Sequence, residues 1–365
     1  MIKKLIPLAY LITQTALSMA SDITRIDSQY CPNNYTHISL QDVAIEREKY
    51  CLLLNDWDIA RLNEHASLSG PGYGCKVIKN DSRHLGTSLC KRIDHDGPQS
   101  PKDDMLKVAY VEVNDYPVRD AGCFIKDNGK PLFDIAVIFA ANINYDGDKA
   151  SLNLNPQVTD LLENNINQVR ELQAKGIKVV LDVLGNHQNA GWSCFANIQQ
   201  ARAFAKVLKN AVDKYKLDGI DIDDEYSKCN REYDNSLIKV TSALREIMPN
   251  KIISKALFHD QSYFNAQWQN KKLHEQLSYG WEMSYWSSGC NRVDGYLNSG
   301  MSKQKLGIGV STVITPSSTA KQISACLKAR QLGGGMMVFN VNRNSETFLQ
   351  AIWPNVKADQ QCFSQ

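Results

Sequence analysis

From residue 105 onward the sequence alternates short apolar, β-branched runs with amphipathic stretches, and this alternation leaves few architectures open. Eight such runs stand out, at residues 107–113, 133–140, 177–184, 217–223, 251–257, 277–285, 305–310 and 335–341. Runs with so few polar interruptions suit strands buried on both faces, and such strands belong to parallel sheets whose crossovers cover them. Helical periodicity occupies residues 156–175, 197–215, 236–248, 318–330 and 345–353. Pro156 sits at a first turn and Gly176 just past an end, the usual asymmetry of helix punctuation. Eight strands in about 260 residues match the size of an α/β chain closed into a (β/α)8, or TIM, barrel. A doubly wound open sheet is the alternative. No Gly-x-Gly-x-x-Gly opens a helix, so dinucleotide binding has no support. In a barrel, chemistry sits at the C-terminal ends of the strands.

The fourth run, Asp218-Gly219-Ile220-Asp221-Ile222-Asp223-Asp224-Glu225, is where that expectation meets titratable groups. Alternate side chains of a strand share a face, so Asp221, Asp223 and Glu225 point one way while Ile220 and Ile222 point the other. Asp218 falls on the opposite parity and reads as structural. Three like charges so close together cannot all ionise freely, so at least one carboxyl retains its proton near neutral pH. A protonated carboxyl is what general-acid chemistry needs. The competing reading is a solvated turn or a calcium loop. An EF-hand loop places its Gly centrally and alternates oxygen ligands; here Gly219 comes too early, and isoleucines occupy positions that a solvated loop would make polar.

The pattern Asp-Gly-x-Asp-x-Asp-x-Glu resembles the signature of the family-18 glycoside hydrolases, with all fixed positions present as Asp218, Gly219, Asp221, Asp223 and Glu225. Three further stretches, at 108–114, 136–146 and 176–192, are similar to the bacterial endo-β-N-acetylglucosaminidases of the H and F type, and the likeness spans about residues 105–350. The resemblance implies cleavage between the two core N-acetylglucosamines of N-linked glycans. It also implies a retaining mechanism in which the substrate's own acetamide oxygen is the nucleophile, an exception to the two-carboxylate scheme. Glu225 would protonate the leaving oxygen and later activate water. Asp223 would hold the acetamide N–H, and Asp221 would share a proton with Asp223. Tyr285, in Met283-Ser284-Tyr285-Trp286, would steady the acetamide oxygen; Trp286 stands where the family usually has Asp. Substrate contacts are implied at Tyr110, Glu112, Asn142, Asn186, Trp192, Tyr226, Trp281, Phe339 and Asn340. Phe339 occupies the strand-eight position where chitinases usually carry Trp, which favours the endoglycosidase branch. His187, in the loop after strand three, reads first as a backbone-satisfying residue. No metal or organic cofactor is implied. A chitinase acting on N-acetylglucosamine polymers and a non-catalytic sugar-binding barrel are the competing functions; the second usually loses the acid, which Glu225 retains.

The chain of 365 residues exceeds one barrel. Residues 1–20 carry Lys3 and Lys4, a short apolar run interrupted by Pro7, Thr13 and Gln14, and a Ser18-Met19-Ala20 cleavage pattern. This reads as a secretory leader, too broken for a membrane span, and points to a secreted or periplasmic protein. The formal net charge is +2 and the two leader lysines account for it. Without a basic stripe, neither nucleic acid nor membrane is an expected partner; the expected partner is a glycoprotein N-glycan or an N-acetylglucosamine oligomer. Ten cysteines, none in Cys-x-x-Cys spacing, favour disulfides in an exported chain. Cys194 is expected to pair with Cys229 across neighbouring loops. Residues 21–103, with Cys31, Cys51, Cys75 and Cys90, read as a small disulfide-stapled domain built more from turns than from regular elements, with 95–101 as linker and the barrel over 104–365. Asn34 and Asn80 head glycosylation sequons, and Trp57 and Tyr73 read as core.

Overall fold

The computed structural model describes residues 105–364 and three short segments before them, Ile23–Ile26, Tyr35–His37 and Ser88–Arg92. The chain divides into two compact units, Met1–Asp96 and Gly97–Gln365. In the first, the three segments form an antiparallel sheet with Ser88–Arg92 in the middle, pairing Thr24 with Cys90 on one side and His37 with Cys90 on the other. The expected leader and linker, Cys31, Cys51, Cys75, Trp57, Tyr73 and the sequon asparagines Asn34 and Asn80 lie outside the described residues.

The second unit is the expected barrel. Its strands are β1 (Lys107–Glu112), β2 (Ile135–Tyr145), β3 (Lys178–Gly185), β4 (Gly219–Asp223), β5 (Ile252–Leu257), β6 (Tyr279–Glu282), β7 (Leu306–Ser311) and β8 (Gly335–Phe339). All are parallel to their neighbours, and β1 pairs with both β2 and β8, which closes the cylinder. Closure requires near contact at the seam. Gly335 adopts φ +68°, and a Cβ there would lie 1.9 Å from the Leu106 carbonyl oxygen, so glycine alone fits. An antiparallel strand, Ala150–Asn153, extends β2 beyond the barrel.

Strand parity divides the core into two compartments. Val108, Tyr110, Val137, Val180, Ala256, Trp281 and Met337 fill the cylinder. Val111, Ile138, Leu181, Ile220, Ile222, Ile253, Ile308 and Val338 pack outward against the helices. The longest helices are α1 (Asn167–Ala174), α2 (Ile198–Tyr215), α3 (Ser236–Ile247), α4 (Ser317–Arg330) and α5 (Glu346–Ile352). Asn197 caps α2 by accepting the Gln200 N–H at 2.9 Å. The helix expected over 156–175 breaks in two. The Asn165 N–H bonds the Asp160 carbonyl five residues back at 3.0 Å, so the turn over Asp160–Asn164 widens and the α-helical ladder is interrupted. Only short helices follow β5 and β6, at Gln261–Asn265, Leu273–Gln276 and Asp294–Asn298.

Three disulfides are present among the described residues: Cys123–Cys362, Cys194–Cys229 and Cys290–Cys326. The second is the expected pairing and ties the loop after β3 to the loop after β4. Asp218 is structural, as its parity indicated: its carboxylate accepts the Val179 N–H at 2.9 Å and the Gln173 amide at 2.8 Å. Among the described residues no helix is long and apolar enough to cross a membrane, and no group of three or more His, Cys, Asp or Glu side chains could hold a metal ion.

Candidate active site

The acids of β4 divide as their parity requires. Ile220 and Ile222 are fully buried against the helices, while Asp221 and Asp223 belong to the inner face. Asp221 is 0% exposed, and its carboxylate accepts the Tyr110 hydroxyl at 2.5 Å and the Ser254 hydroxyl at 2.5 Å. Beside it in the β3–β4 register lies Asp182, also 0% exposed, with neither oxygen receiving a donor from elsewhere. Two buried carboxyls side by side cannot both be charged. Asp221 is already served by two donors, so the proton resides on Asp182, whose O–H then donates to Asp221. Burial drives Asp182 well above the ordinary carboxyl range, and the Asp221 charge adds to it. Burial also raises Asp221, against the lowering by its bonds from Asp182, Ser254 and Tyr110.

Asp223 is one layer closer to the rim. Burial pushes its carboxyl to about 8, with the Glu225 charge the next contribution. Its Oδ1 accepts the Glu225 N–H at 3.1 Å. Glu225 is half-buried; burial raises it, and the Lys255 ammonium pulls it partly back. The Glu225 backbone is held against β3, where its carbonyl accepts the Gly185 N–H at 3.0 Å. A Cβ at position 185 would fall 2.3 Å from that carbonyl oxygen, so a side chain there would displace the catalytic loop. Asp224, on the outward parity, is raised by burial to about 6 and accepts the Ser227 hydroxyl at 2.8 Å.

Aromatic side chains complete the mouth. The Tyr285 ring stacks on Phe339 (centroids 5.8 Å, 14° between planes), and Phe339 meets Phe139 edge-on at 5.3 Å. The Tyr285 hydroxyl has only the Met337 and Met283 sulfurs as partners, at 3.9 and 4.0 Å. Burial lifts its pKa well above the phenol range, followed by the charges of Asp223 and Glu225. The Tyr285 carbonyl accepts the Thr315 hydroxyl at 2.7 Å, which joins the loops after β6 and β7. Five of the six large hydrophobic side chains exposed among the described residues end or follow barrel strands on this side: Tyr145, Tyr226, Trp286, Val313 and Ile314. The apolar surface available to a ligand is therefore concentrated at the end that carries the acids.

Several expected contacts are corrected by burial. Trp192 is 0% exposed, donates its indole N–H to the Val183 carbonyl at 2.7 Å and packs on Phe204, so it belongs to the core. Trp281, also 0% exposed, donates to the Gly334 carbonyl at 2.7 Å and stacks on Tyr279 inside the cylinder. Tyr110 is spent on Asp221 rather than free for a ligand. Asp221, expected to share a proton with Asp223, also has the buried Asp182 beside it, a second acid which that expectation did not include. Four residues stand at the rim with partners of their own: Asn340 donates to Glu112 at 3.3 Å, Asn142 to the Gly185 carbonyl at 3.3 Å, and Asn186 to the Asn144 side chain at 2.7 Å. Tyr226 is 52% exposed and lies against His187, centroids 4.9 Å apart. His187 donates its backbone N–H to the Tyr226 carbonyl.

Sequence reasoning missed Asp182, Ser254, Phe139 and Lys255. Asp182 carried a signal: a lone acid within an apolar run, on the inward parity of β3 with Val180. Phe139 shares parity with Ile135 and Val137 and was legible in the same way.

The arrangement offers a half-buried acid beside a second protonatable carboxyl, an under-used phenol across from both, and an aromatic floor, which suits acid-assisted cleavage of a sugar linkage. Comparison with known proteins agrees. Residues 108–353 match the family described as glycosyl hydrolases family 18. An endo-beta-N-acetylglucosaminidase of Flavobacterium sp. (strain SK1022) is 37% identical over 239 residues, covering 64% of this chain and 74% of that protein. Endo-beta-N-acetylglucosaminidase F1 of Elizabethkingia meningoseptica is 40% identical over 169 residues, 43% of this chain and 49% of that one. In fold, the chain is similar to Bacteroides thetaiotamicron EndoBT-3987, crystallised with Man5GlcNAc product (TM-score 0.59, 22% identity, 75% of this chain and 67% of that chain). A chitinase from Pseudoalteromonas aurantia shares the fold at TM-score 0.52 and 19% identity, over 68% and 99% of the two chains. With its acids on β4 of a closed barrel and its family match running from β1 into α5, this chain belongs to the family-18 glycoside hydrolases.

Proposed function

We propose that this glycoside hydrolase cleaves the β-1,4 bond between the two core N-acetylglucosamines of N-linked glycans, with retention and with the substrate's acetamide as nucleophile. The relatives named endo-beta-N-acetylglucosaminidase support the linkage. One observation supports the mechanism above others: the Tyr285 hydroxyl faces Asp223 and Glu225 yet has only thioethers as partners. That leaves a donor for an acetamide oxygen, with Asp223 placed to accept the acetamide N–H.

Asp223 and Glu225 share one proton near neutral pH, and the reactive arrangement has it on Glu225 with the charge on Asp223. The acetamide oxygen attacks the anomeric carbon as Glu225 delivers its proton to the departing oxygen. The resulting oxazolinium carries positive charge that Asp223 stabilises, and this interaction exists fully only beyond the ground state. Glu225, now a carboxylate, takes a proton from water, which opens the ring and restores the acid. Asp182, Tyr110 and Ser254 hold Asp221 beneath this pair. The leader-like pattern of residues 1–20 supports export, and with it a glycoprotein substrate met outside the cytoplasm.

Mass spectrometry of a high-mannose glycoprotein after digestion tests the reading. The expected product retains one N-acetylglucosamine on asparagine. An intact glycoprotein, with cleavage of a chitin oligomer instead, would replace this reading with the chitinase one.

A further inference from the structure

Lys255 lies on the outward face of β5, between Ile253 and Leu257, where neighbouring strands present aliphatic side chains. It is 1% exposed. A buried ammonium requires partners. Its Nζ meets Asp260 Oδ2 at 2.6 Å and donates to the Ala256 carbonyl at 2.8 Å. Asp260 is fixed in turn by the Tyr296 hydroxyl at 2.6 Å. The third ammonium hydrogen is not claimed by those two bonds, and Lys255 lines a polar cavity of ≈ 170 Å³ together with Asp223, Asp224 and Glu225. Lys255 is the one Lys or Arg in that lining, set against the carboxyls of Asp223, Asp224, Glu225, Glu232 and Asp260.

We propose that Lys255 is a positioning residue for the acid: its ammonium, anchored behind the β4 loop by Asp260, sets the charge balance in which Glu225 and Asp223 exchange their proton. This rests on the reading of Glu225 as the acid. Burial opposes the Lys255 charge, and the carboxylates of Asp260, Asp224 and Asp223 outweigh it, so the side chain stays cationic. Lys255 in turn lowers Glu225, Asp224 and Asp223. Glu225 is faced by Asp223, Asp224, Tyr226 and Glu232 from its own segment, by Asp182 from β3, and by Lys255, His259, Asp260 and Tyr263 from β5 and beyond; Tyr285 faces it from the β6 side, where Glu282 is paired with Arg292 at 2.7 Å. Among these groups Lys255 is the buried lysine, and its charge reaches Glu225 although the equally buried Asp260 holds it.

The test is the pH dependence of kcat/KM on a glycopeptide for three variants. Lys255→Met alone strands the Asp260 carboxylate and is expected to weaken the fold, so Lys255→Met/Asp260→Asn accompanies it, keeping the acceptor for Tyr296. Loss of the cation raises both acids and loss of the Asp260 charge offsets part of that rise, so the profile of the double variant is expected to move to higher pH by roughly half a unit. Lys255→Arg is expected to leave the profile in place. A double variant whose profile superimposes on wild type would reduce Lys255 to a structural ion pair and overturn the proposal. Glu225→Gln, run alongside, separates the two failures: wild-type turnover in that variant refutes the acid assignment itself, whatever Lys255 does.

Discussion

Replacing Asp223 by Asn keeps the shape of the side chain and deletes its ionisation, and the structure gives the consequence a size and a pH dependence. In the folded chain burial, with the Glu225 charge behind it, pushes this carboxyl up to about 8, against an ordinary value of 3.8. The sign follows from proton binding. Between those two values the folded state holds a proton that the unfolded state has released, so native stability falls as pH rises through that window. At about pH 7 the unfolded wild type has gained roughly 1.4 kcal/mol for every pH unit above 3.8, or about 4 kcal/mol in all, and the Asn variant gains nothing. Asp223→Asn is therefore expected to match wild type in stability near pH 4 and to exceed it by up to about 4 kcal/mol near pH 7. Activity should move the other way, with kcat falling about 10²- to 10³-fold through loss of charge stabilisation. Urea unfolding of both proteins at several pH values, beside a rate assay, reads both effects. A stability difference that does not change with pH would refute the burial argument for this carboxyl.

Tyr285→Phe should lower kcat about 10²-fold with little change in melting temperature, because the hydroxyl has only thioether partners in the free protein; calorimetry with a rate assay checks both. Trp192→Phe should do the reverse. It leaves the Val183 carbonyl without its donor and should cost about 1–3 kcal/mol of stability without changing KM. Trp286→Ala removes a 63% exposed ring at the rim; glycan KM is expected to rise while stability stays within about 0.5 kcal/mol. Removing the Cys194–Cys229 bridge as a Ser/Ser pair should cost about 2–4 kcal/mol in chemical unfolding.

The barrel was legible because its signal is repeated. Eight apolar runs each report a doubly buried strand, and an error of one or two residues at any end does not alter the count. β6 shows how such errors arise: it stops at Glu282 although apolar residues continue, because the Ser284 hydroxyl and N–H turn back onto the Glu282 carboxylate. The β4 acids were legible because parity within one strand is local. Partners from other strands were not. That Tyr110 and Ser254 meet at Asp221 depends on the barrel bringing β1 and β5 to β4, across sequence separations of 111 and 33 residues. Trp192 and Trp281 were misassigned for a related reason. A tryptophan near a strand end fits a sugar platform and a core plug equally well in sequence, and only burial separates the two. Lys255 broke the apolar pattern of its strand, and its partner Asp260, five residues on, is identified only once the segment after β5 is seen to fold back onto it.

The account turns on the proton that Glu225 delivers to the departing sugar. Single-turnover cleavage of an N-glycopeptide by Glu225→Gln, with calorimetric titration of the same glycopeptide, tests that step most directly. The amide retains the shape of the side chain and cannot donate an acidic proton, so binding is expected to persist while cleavage disappears. Cleavage at the wild-type rate would contradict the role given to Glu225 and the mechanism built on it.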